Sequence, residues 1–177
     1  MAINLSQKEK MLLGDQKNHE QVCIQKYQSY ASKAQDPQLK QLFTQFAQQE
    51  QQHMDTLNQI SSGQVPSMSQ GQQSGQNQQS SMQSSTQSSA AGQSGQSQQS
   101  AMQSSSQAFP GSSQDAALCN DMLMTEKYVS GAYDTAIFEF ADAQVRQALN
   151  HIQKEEQQHG EKIFNYMQSN GMYNVQQ

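Results

Sequence analysis

The strongest constraint on the fold of this chain is an internal repeat. Two segments, roughly residues 5–60 and 115–170, can be superposed with a constant offset of 106 residues, and the tetrapeptide EQQH stands at both 50–53 and 156–159. The same offset pairs Glu20 with Glu126, Tyr27 with Tyr133, Asp36 with Asp142, Gln38 with Gln144, Lys40 with Arg146, Gln41 with Gln147, Glu50 with Glu156 and His53 with His159. An unbroken register of this length indicates an internal duplication. The fold must be one that two copies of a single unit can build together.

The two copies are separated by a stretch of unusual composition. Residues 61–114 contain no Asp, Glu, Lys or Arg, and 41 of these 54 positions are Ser, Gln or Gly. So few apolar side chains cannot offset the entropy lost on ordering the chain. We therefore predict a disordered linker at 61–114, between a first helical hairpin at 1–60 and a second at 115–177. Self-association of its glutamines is an alternative role.

Each copy carries the periodicity of two amphipathic helices, with apolar residues spaced by three and four. In chain order the four predicted stripes are Leu13, Gln16, Glu20, Cys23, Tyr27, Tyr30 and Ala34; Leu39, Phe43, Phe46, Glu50, His53, Leu57 and Ile60; Cys119, Met122, Glu126, Val129, Tyr133, Ala136 and Phe140; and Val145, Leu149, Ile152, Glu156, His159, Ile163 and Tyr166. Neither hairpin can bury its stripe alone, so the predicted fold is all-α, a four-helix bundle built from two duplicated helical hairpins.

Local signals place the helix ends, and the linker length fits the bundle. Ser6 with Glu9 is a candidate capping box, Asp36 before Pro37 and Asp142 are candidate N-caps, and Asn170-Gly171 suits a helix end. Helices of about 25 residues are roughly 38 Å long, and about 54 flexible residues span roughly 40 Å. The second and third helices can therefore run parallel.

Four glutamates and two histidines interrupt the apolar stripes: Glu20, Glu50, His53, Glu126, Glu156 and His159. Burying four ionised carboxylates without a positive partner is prohibitively costly. Two divalent metal ions would neutralise them, and the spacing of Glu-x-x-His places both side chains on one helix face. One Glu from each of two helices and one Glu-x-x-His from each of the other two is typical of ferritin-like di-iron and di-manganese proteins.

The predicted ligand set divides between two metal positions. Glu50 and Glu156 would bridge the ions, Glu20 and His53 would complete one position, and Glu126 and His159 the other. Tyr27 and Tyr133 are candidates for hydrogen bonds to these ligands, or are ordinary core tyrosines. The alternative for the six is a hydrogen-bonded polar layer without metal. These ligand types favour iron or manganese over structural zinc.

Histidine and cysteine outside this set suggest no further metal site. His19 and His151 have no counterpart at the 106 offset, and we expect both to be solvated. Cys23 and Cys119 are not in CxxC spacing, which argues against a disulfide framework, a rubredoxin-type site or a zinc ribbon. We expect them to be small buried residues.

Charge and hydropathy exclude other classes of function. The net charge of −5 and the sequence pI near 5.2 argue against binding to nucleic acid or to an anionic membrane surface. The sequence has no run of about 18 apolar residues, the length needed to span a bilayer. Its start, MAINLSQKEK, lacks the apolar core of a signal peptide. We expect the protein to remain in the compartment where it is made.

Two family resemblances follow from these motifs. Glu20, Tyr27 and Glu50-x-x-His53, with their repeat, resemble the rubrerythrin and ferritin-like superfamily across the chain apart from the linker. The run DMLMTEKYVSGAYDTAIFEFADAQVRQALNHIQKEEQQHGEKIFNYMQSNGMYNV, with Arg146 in its last helix, resembles the coat F domain of spore coat proteins from endospore-forming Firmicutes. That second resemblance covers about a third of the chain.

The coat F resemblance implies sporulation: synthesis in the mother-cell cytoplasm and deposition in the spore coat, with other spore coat proteins as partners. A structural coat component is the first hypothesis. The alternative is a di-metal oxidase, peroxidase or catalase-like enzyme that protects the spore, for which fold-level analogy is the only warrant. Storage of iron in a cage is weakly supported. A homo-oligomer is also open, because the long linker permits hairpins to exchange between chains.

Overall fold

The described part of the chain consists of four helices. The computed structural model describes residues 3–64 and 112–173. In it α1 spans Gln7–Lys33, α2 Pro37–Ser61, α3 Ser112–Glu139 and α4 Ala143–Ser169. No strand occurs within these described ranges, so the all-α prediction is confirmed. The prediction of a disordered linker falls on residues of which 65–111 lie outside the described ranges.

Two helices extend a little into the stretch assigned to the linker from composition. α2 continues to Ser61, and α3 begins at Ser112, three residues before the predicted start of the second hairpin. Serine is common at the start of a helix. Asp115 lies in the first turn of α3, where its negative charge is favourable next to the positive end of the helix dipole. The overall composition of a segment does not show where such preferences extend a helix.

The predicted caps fix the helix ends. Ser6 and Glu9 form a reciprocal capping box at the start of α1. Asp36 accepts from Gln38 N at 2.9 Å to begin α2, and Asp142 begins α4 in the same way. α4 ends at Ser169 with Asn170 as its C-cap, and Gly171 follows with φ of 68°, a left-handed conformation that glycine adopts without strain.

The hairpins pack so that neighbouring helices run antiparallel. α1 packs against α2 and α3, and α4 packs against α2 and α3. Lys8 pairs with Glu139 at one end of the α1–α3 contact, and Gln35 N donates to Asp115 at the other. Tyr166 near the end of α4 donates to Asp36 before α2. The second and third helices are therefore parallel and diagonal, as the long connection permits. None of the helices in the described ranges has the length and apolar character required to cross a bilayer.

The core follows the predicted stripes closely. Every stripe residue is buried except Tyr30, which is half-buried and donates its hydroxyl to Asp121 at 2.6 Å. Aromatic rings concentrate around Tyr27, whose ring centroid lies 5.6 Å from that of Phe43 and 5.4 Å from that of Phe46. This apolar layer encloses the polar residues at the centre of the bundle.

A pair of buried acidic residues joins the two hairpins symmetrically. Glu9 accepts from Ala141 N at 2.8 Å, in the turn before α4. Asp115, which lies 106 residues after Glu9, accepts from Gln35 N at 2.9 Å and Asp36 N at 3.0 Å, in the turn before α2. Sequence inspection missed this exchange, although both acids share the offset. The duplication is thus expressed as an approximate two-fold relation between the hairpins.

Candidate metal centre

The four glutamates and two histidines of the stripes meet at the centre of the bundle. Their ligand atoms fall into two groups, within each of which all atoms lie no more than 4.8 Å apart. The first group contains Glu20, Glu50, His53 and Glu156, and the second contains Glu50, Glu126, Glu156 and His159. Glu50 and Glu156 belong to both groups. Each helix supplies one carboxylate, and none of the six residues is more than 3% exposed.

Both imidazoles present Nδ1 to the cluster. His53 Nδ1 lies 2.9 Å from Glu156 Oε1, without hydrogen-bond geometry, and 3.4 Å from a carboxylate oxygen of Glu20. His159 Nδ1 lies 3.0 Å from Glu50 Oε1. The two rings stack with centroids 5.9 Å apart. The cluster is therefore lined by two imidazole nitrogens and four carboxylates.

The opposite nitrogen of each imidazole is held by a residue that sequence inspection missed. His53 Nε2 lies 2.9 Å from Glu155 Oε2, and His159 Nε2 lies 3.1 Å from Gln49 Oε1. Both oxygens accept, so each Nε2 acts as the donor, and a ring whose Nδ1 is unprotonated would direct that lone pair inward to a metal ion. Gln49 and Glu155 share the 106 offset and each precedes a stripe glutamate, which is the signal that could have found them.

The two tyrosines cross from one hairpin to the other. Tyr27 on α1 donates its hydroxyl to Glu126 on α3, and Tyr133 on α3 donates to Glu20 on α1. Burial, followed by the nearby carboxylates, raises the pKa of both phenols well above the ordinary value. Both tyrosines therefore stay protonated and act as donors to the two carboxylates that belong to only one group each.

The carboxylates are in a costly environment. Burial, with the repulsion of neighbouring carboxylates, raises the pKa of Glu50 and Glu126 well above the ordinary value and that of Glu156 to about 7. Burial acts in the same direction on Glu20, but the interactions with His53, Glu50 and Tyr133 together outweigh it and lower the pKa of Glu20. Three of the four carboxyls therefore hold protons more tightly than a solvated glutamate.

The two histidines differ although their sequence positions are equivalent. Burial acts to lower the pKa of both imidazoles. At His53 it is outweighed by hydrogen bonds to carboxylates, with Glu155 the first among them, and the pKa is raised well above the ordinary value. At His159 burial prevails, and the pKa falls to about 4. The two rings also differ in the residue that contacts Nε2, which is the carboxylate of Glu155 for His53 and the neutral amide of Gln49 for His159.

The arrangement fits two divalent cations. Six buried atoms of the cluster lack a hydrogen-bond partner: Glu20 Oε2, Glu50 Oε2, His53 Nδ1, Glu126 Oε2, Glu156 Oε1 and Glu156 Oε2. Within the described segments, the ion pairs of these four carboxylates are with the two histidines and with no Lys or Arg. Buried polar atoms are nearly always satisfied, so orphaned oxygens in one cluster are unusual. Two divalent ions would satisfy them and balance four carboxylates.

The remaining histidines and cysteines lie apart from this cluster. His151 is largely solvated, as expected, and lies 3.5 Å from Glu155. His19 is instead half-buried, because its ring packs edge-on against Tyr128 at 5.3 Å. Cys23 and Cys119 are both free and buried. Burial raises the pKa of both thiols, that of Cys119 to about 12.

These features define the class of the protein: a ferritin-like four-helix bundle with a buried Glu and Glu-x-x-His cluster. Comparison with known proteins agrees with both parts of this description. Residues 114–176 match the Coat F domain family, and residues 18–80 match the Rubrerythrin family. The second hairpin and most of the first are each covered by one match. No curated protein and no solved structure matches the chain significantly.

Proposed function

We propose that the protein is a structural component of the bacterial endospore coat whose bundle holds a di-iron or di-manganese carboxylate site. The Coat F match over residues 114–176 supports the coat role. The observation that carries the metal site is the convergence of six unpartnered, buried carboxylate and imidazole atoms on one region of the core. The Rubrerythrin match over residues 18–80 supports the same reading.

In this proposal the ligands divide as the sequence predicts. Glu50 and Glu156 would be shared by the two ions, because among the six residues they alone belong to both groups of ligand atoms. Glu20 and His53 would complete one position, and Glu126 and His159 the other. The bound ions would supply Lewis acidity and, for iron or manganese, a redox couple.

The surrounding residues hold this ligand set in place. Glu155 and Gln49 hold the Nε2 protons of the two imidazoles and fix their orientation. Tyr27 and Tyr133 each hold one oxygen of a carboxylate. Phe46 packs against His159 with ring centroids 4.3 Å apart and helps to exclude water from the cluster.

The first experiment is a measurement of metal content by mass spectrometry, on full-length protein purified without chelator or affinity metal. We expect about two iron or manganese ions per chain. The double variant Glu50→Ala, Glu156→Ala should lose both ions while remaining helical by circular dichroism. Glu161→Ala, which removes an exposed glutamate of α4, is the matched control. A wild-type protein that binds no metal even after anaerobic reconstitution would refute the site and leave a structural bundle.

A second candidate function is a redox enzyme that protects the spore. The Rubrerythrin match and the two buried tyrosines beside the cluster favour it. Dismutation, in which two hydrogen peroxide molecules give two waters and one dioxygen, needs no external reductant, whereas peroxidase or oxidase activity requires a separate electron donor or a substrate. Peroxide consumption by fully metallated protein tests this candidate. Consumption no faster than in the double variant Glu50→Ala, Glu156→Ala would eliminate it.

The coat role implies a location and partners. We place synthesis in the mother-cell cytoplasm and the mature protein in the spore coat, in contact with other coat proteins. The Ser/Gln/Gly-rich composition of the connecting stretch suits contacts or glutamine cross-links within the coat. Deletion of residues 65–110 should then leave the protein soluble and metallated but reduce its recovery in the cross-linked coat fraction. Unchanged deposition and cross-linking would refute the role of that stretch.

A further inference from the structure

A groove of about 510 Å³ between α3 and α4 leads to the cluster. Glu126 and Glu156 form part of its lining, and both carry orphaned, buried oxygens. Ser130 and Asp134 lie on the α3 side. The groove therefore extends from the surface to two residues of the proposed metal site.

Two glycines inside helices keep this groove open. A Cβ added at Gly131 would meet nothing within 4 Å, and one added at Gly160 would lie 3.8 Å from Glu126 Cβ and 3.7 Å from Leu123 Cδ1. Neither glycine is required by close packing, although glycine within a helix costs about 1 kcal/mol relative to alanine. Helical side chains lean toward the preceding turn, so a longer side chain at position 160 would extend over the turn of Glu156 and toward Glu126.

The other hairpin has bulkier residues at the equivalent positions. At the 106 offset, Gly160 corresponds to Met54, Gly131 to Gln25, and Ser130 to Ile24. Met54 is half-buried and Ile24 is 5% exposed. At positions 130 and 160 the α3–α4 face thus has small residues where the equivalent positions of the first hairpin carry the larger apolar side chains of Ile24 and Met54.

We propose that the α3–α4 groove is the entrance through which divalent metal ions reach the buried site, and that Gly160 keeps it open. This inference rests on the proposed di-metal function. The lining suits a cation: it contains the exposed carboxylate of Asp134 together with Glu126 and Glu156, while Lys127 is its one basic residue. Carboxylate oxygens can replace the hydration shell of an incoming ion one water at a time.

The test measures the rate of metal movement rather than activity. Metal-free full-length protein is mixed with Mn²⁺ or, anaerobically, Fe²⁺, and uptake is followed by stopped-flow; loaded protein is then mixed with a chelator to follow release. Gly160→Met, which copies the residue at position 54, should slow both rates by about tenfold or more. The final number of ions per chain should not change, because an obstructed path raises the barrier equally in both directions.

Matched variants separate obstruction from a general effect of the substitution. Gly14→Met places the same side chain at a helical glycine of α1, outside the groove, with nothing within 4 Å of the added Cβ. It should leave both rates unchanged. Gly160→Ala adds only a Cβ in ordinary contact and should have a small effect. Met54→Gly in the Gly160→Met background should restore faster exchange through the opposite face.

The outcomes distinguish this inference from the proposed function. Full metal content with unchanged rates in Gly160→Met would overturn the entrance while leaving the di-metal site intact. Absence of metal from wild type as well would overturn both. If Gly160→Met does not fold, Gly131→Met at the exposed side of the groove is the second variant. Rates equal to those of Gly14→Met would then overturn the entrance.

Discussion

The two hairpins are copies in sequence but differ in the chemistry around the cluster. Glu20 and Glu126 are equivalent by offset, yet the pKa of Glu20 is lowered and that of Glu126 is raised, although burial acts to raise both. His53 and His159 are likewise equivalent, yet their pKa values move in opposite directions, although burial acts to lower both. The difference between the carboxylates arises mainly within each hairpin, since His53 lowers the pKa of Glu20 and Glu156 raises that of Glu126. The rise at His53 instead involves Glu155 and Glu156 of the other hairpin.

This comparison shows how a duplicated unit acquires two different halves. The positions that line the cluster carry the same residues in both copies, because a substitution at any of them would remove one member of the proposed ligand set. The positions one layer further out have diverged, with Gln49 facing one imidazole and Glu155 the other, and Met54 standing opposite Gly160. The two proposed metal positions are therefore inequivalent, and the following predictions address that inequivalence.

The largest expected effect is an opposite pH dependence of matched carboxamide variants in metal-free protein. The pKa of Glu126 is raised in the folded state, so the stability that this group contributes declines as pH rises above the pKa of glutamate in the unfolded chain. The stability of Glu126→Gln relative to wild type should therefore increase as pH rises. The pKa of Glu20 is lowered in the folded state, so the stability that this group contributes is present above the pKa of glutamate in the unfolded chain and is lost at low pH. Glu20→Gln should therefore be less stable than wild type at pH 7. Thermal unfolding from pH 4 to 8 measures both.

Glu156 sets the scale of this effect. Its pKa of about 7, against 4.5 for a solvated glutamate, corresponds to about 3 kcal/mol. This stability is present below pH 4.5 and is lost as pH rises through about 7. Glu156→Gln should therefore equal wild type near pH 4 and exceed it by this amount at pH 8. If the stabilities of Glu20→Gln and Glu126→Gln relative to wild type changed with pH in the same way, the two hairpins would be electrostatically equivalent.

A smaller effect is expected from exchanging the outer partners of the imidazoles. Glu155→Gln makes the second hairpin resemble the first and should weaken the ion held by His53 by about 10- to 100-fold. Gln49→Glu should strengthen the ion held by His159, because a carboxylate makes the imidazole more basic. Competition titration with a metal chelator resolves the two binding steps. Two steps that stay unchanged in both variants would contradict an outer-partner origin of the asymmetry.

The acids that join the hairpins should have comparable or smaller effects on folding. Asp115→Asn leaves one acceptor for two backbone donors, Gln35 N and Asp36 N. It should lower the free energy of unfolding by about 1–3 kcal/mol. Glu9→Gln, its counterpart, likewise leaves one acceptor for two backbone donors, Ala141 N and Ser6 N, and should cost a similar amount. Urea unfolding provides the measurement, with exposed Asp15→Asn as control; equal stability of Asp115→Asn and the control would refute the interhairpin role.

The smallest effect is expected at helical glycines. Gly14→Ala in α1 and Gly131→Ala in α3 should each stabilise the bundle by up to about 1 kcal/mol, because an added Cβ meets nothing within 4 Å and alanine favours the helix. Thermal unfolding of the metal-free protein compares the two. A loss of stability at Gly131 alone would indicate that the groove requires glycine for structural reasons, which would weaken its assignment as an entrance.

The sequence predicted the helices and their inward faces because both depend on local spacing. Residues three and four apart share a helix face, so the stripes through Leu39 and Val145 identified buried positions without knowledge of the partner helices. Caps at Ser6, Asp36 and Asp142 depend on side chains within the same turn and were equally readable. The offset of 106 residues then implied that both halves contribute alike to one core.

Contacts between distant residues were decided by the tertiary structure. Tyr27 lies 99 residues from Glu126, and Glu155 lies 102 residues from His53. No local pattern specifies which helices become neighbours. The crossing of the tyrosines could therefore not be read from spacing, and the offset that pairs Gln49 with Glu155 does not say which imidazole each residue holds. The groove beside Gly160 likewise exists only because α3 and α4 pack as they do. The sequence by itself determined which side chains face inward; the packing of four helices decided which of them meet, because proximity across a core is set by the helix arrangement rather than by position along the chain.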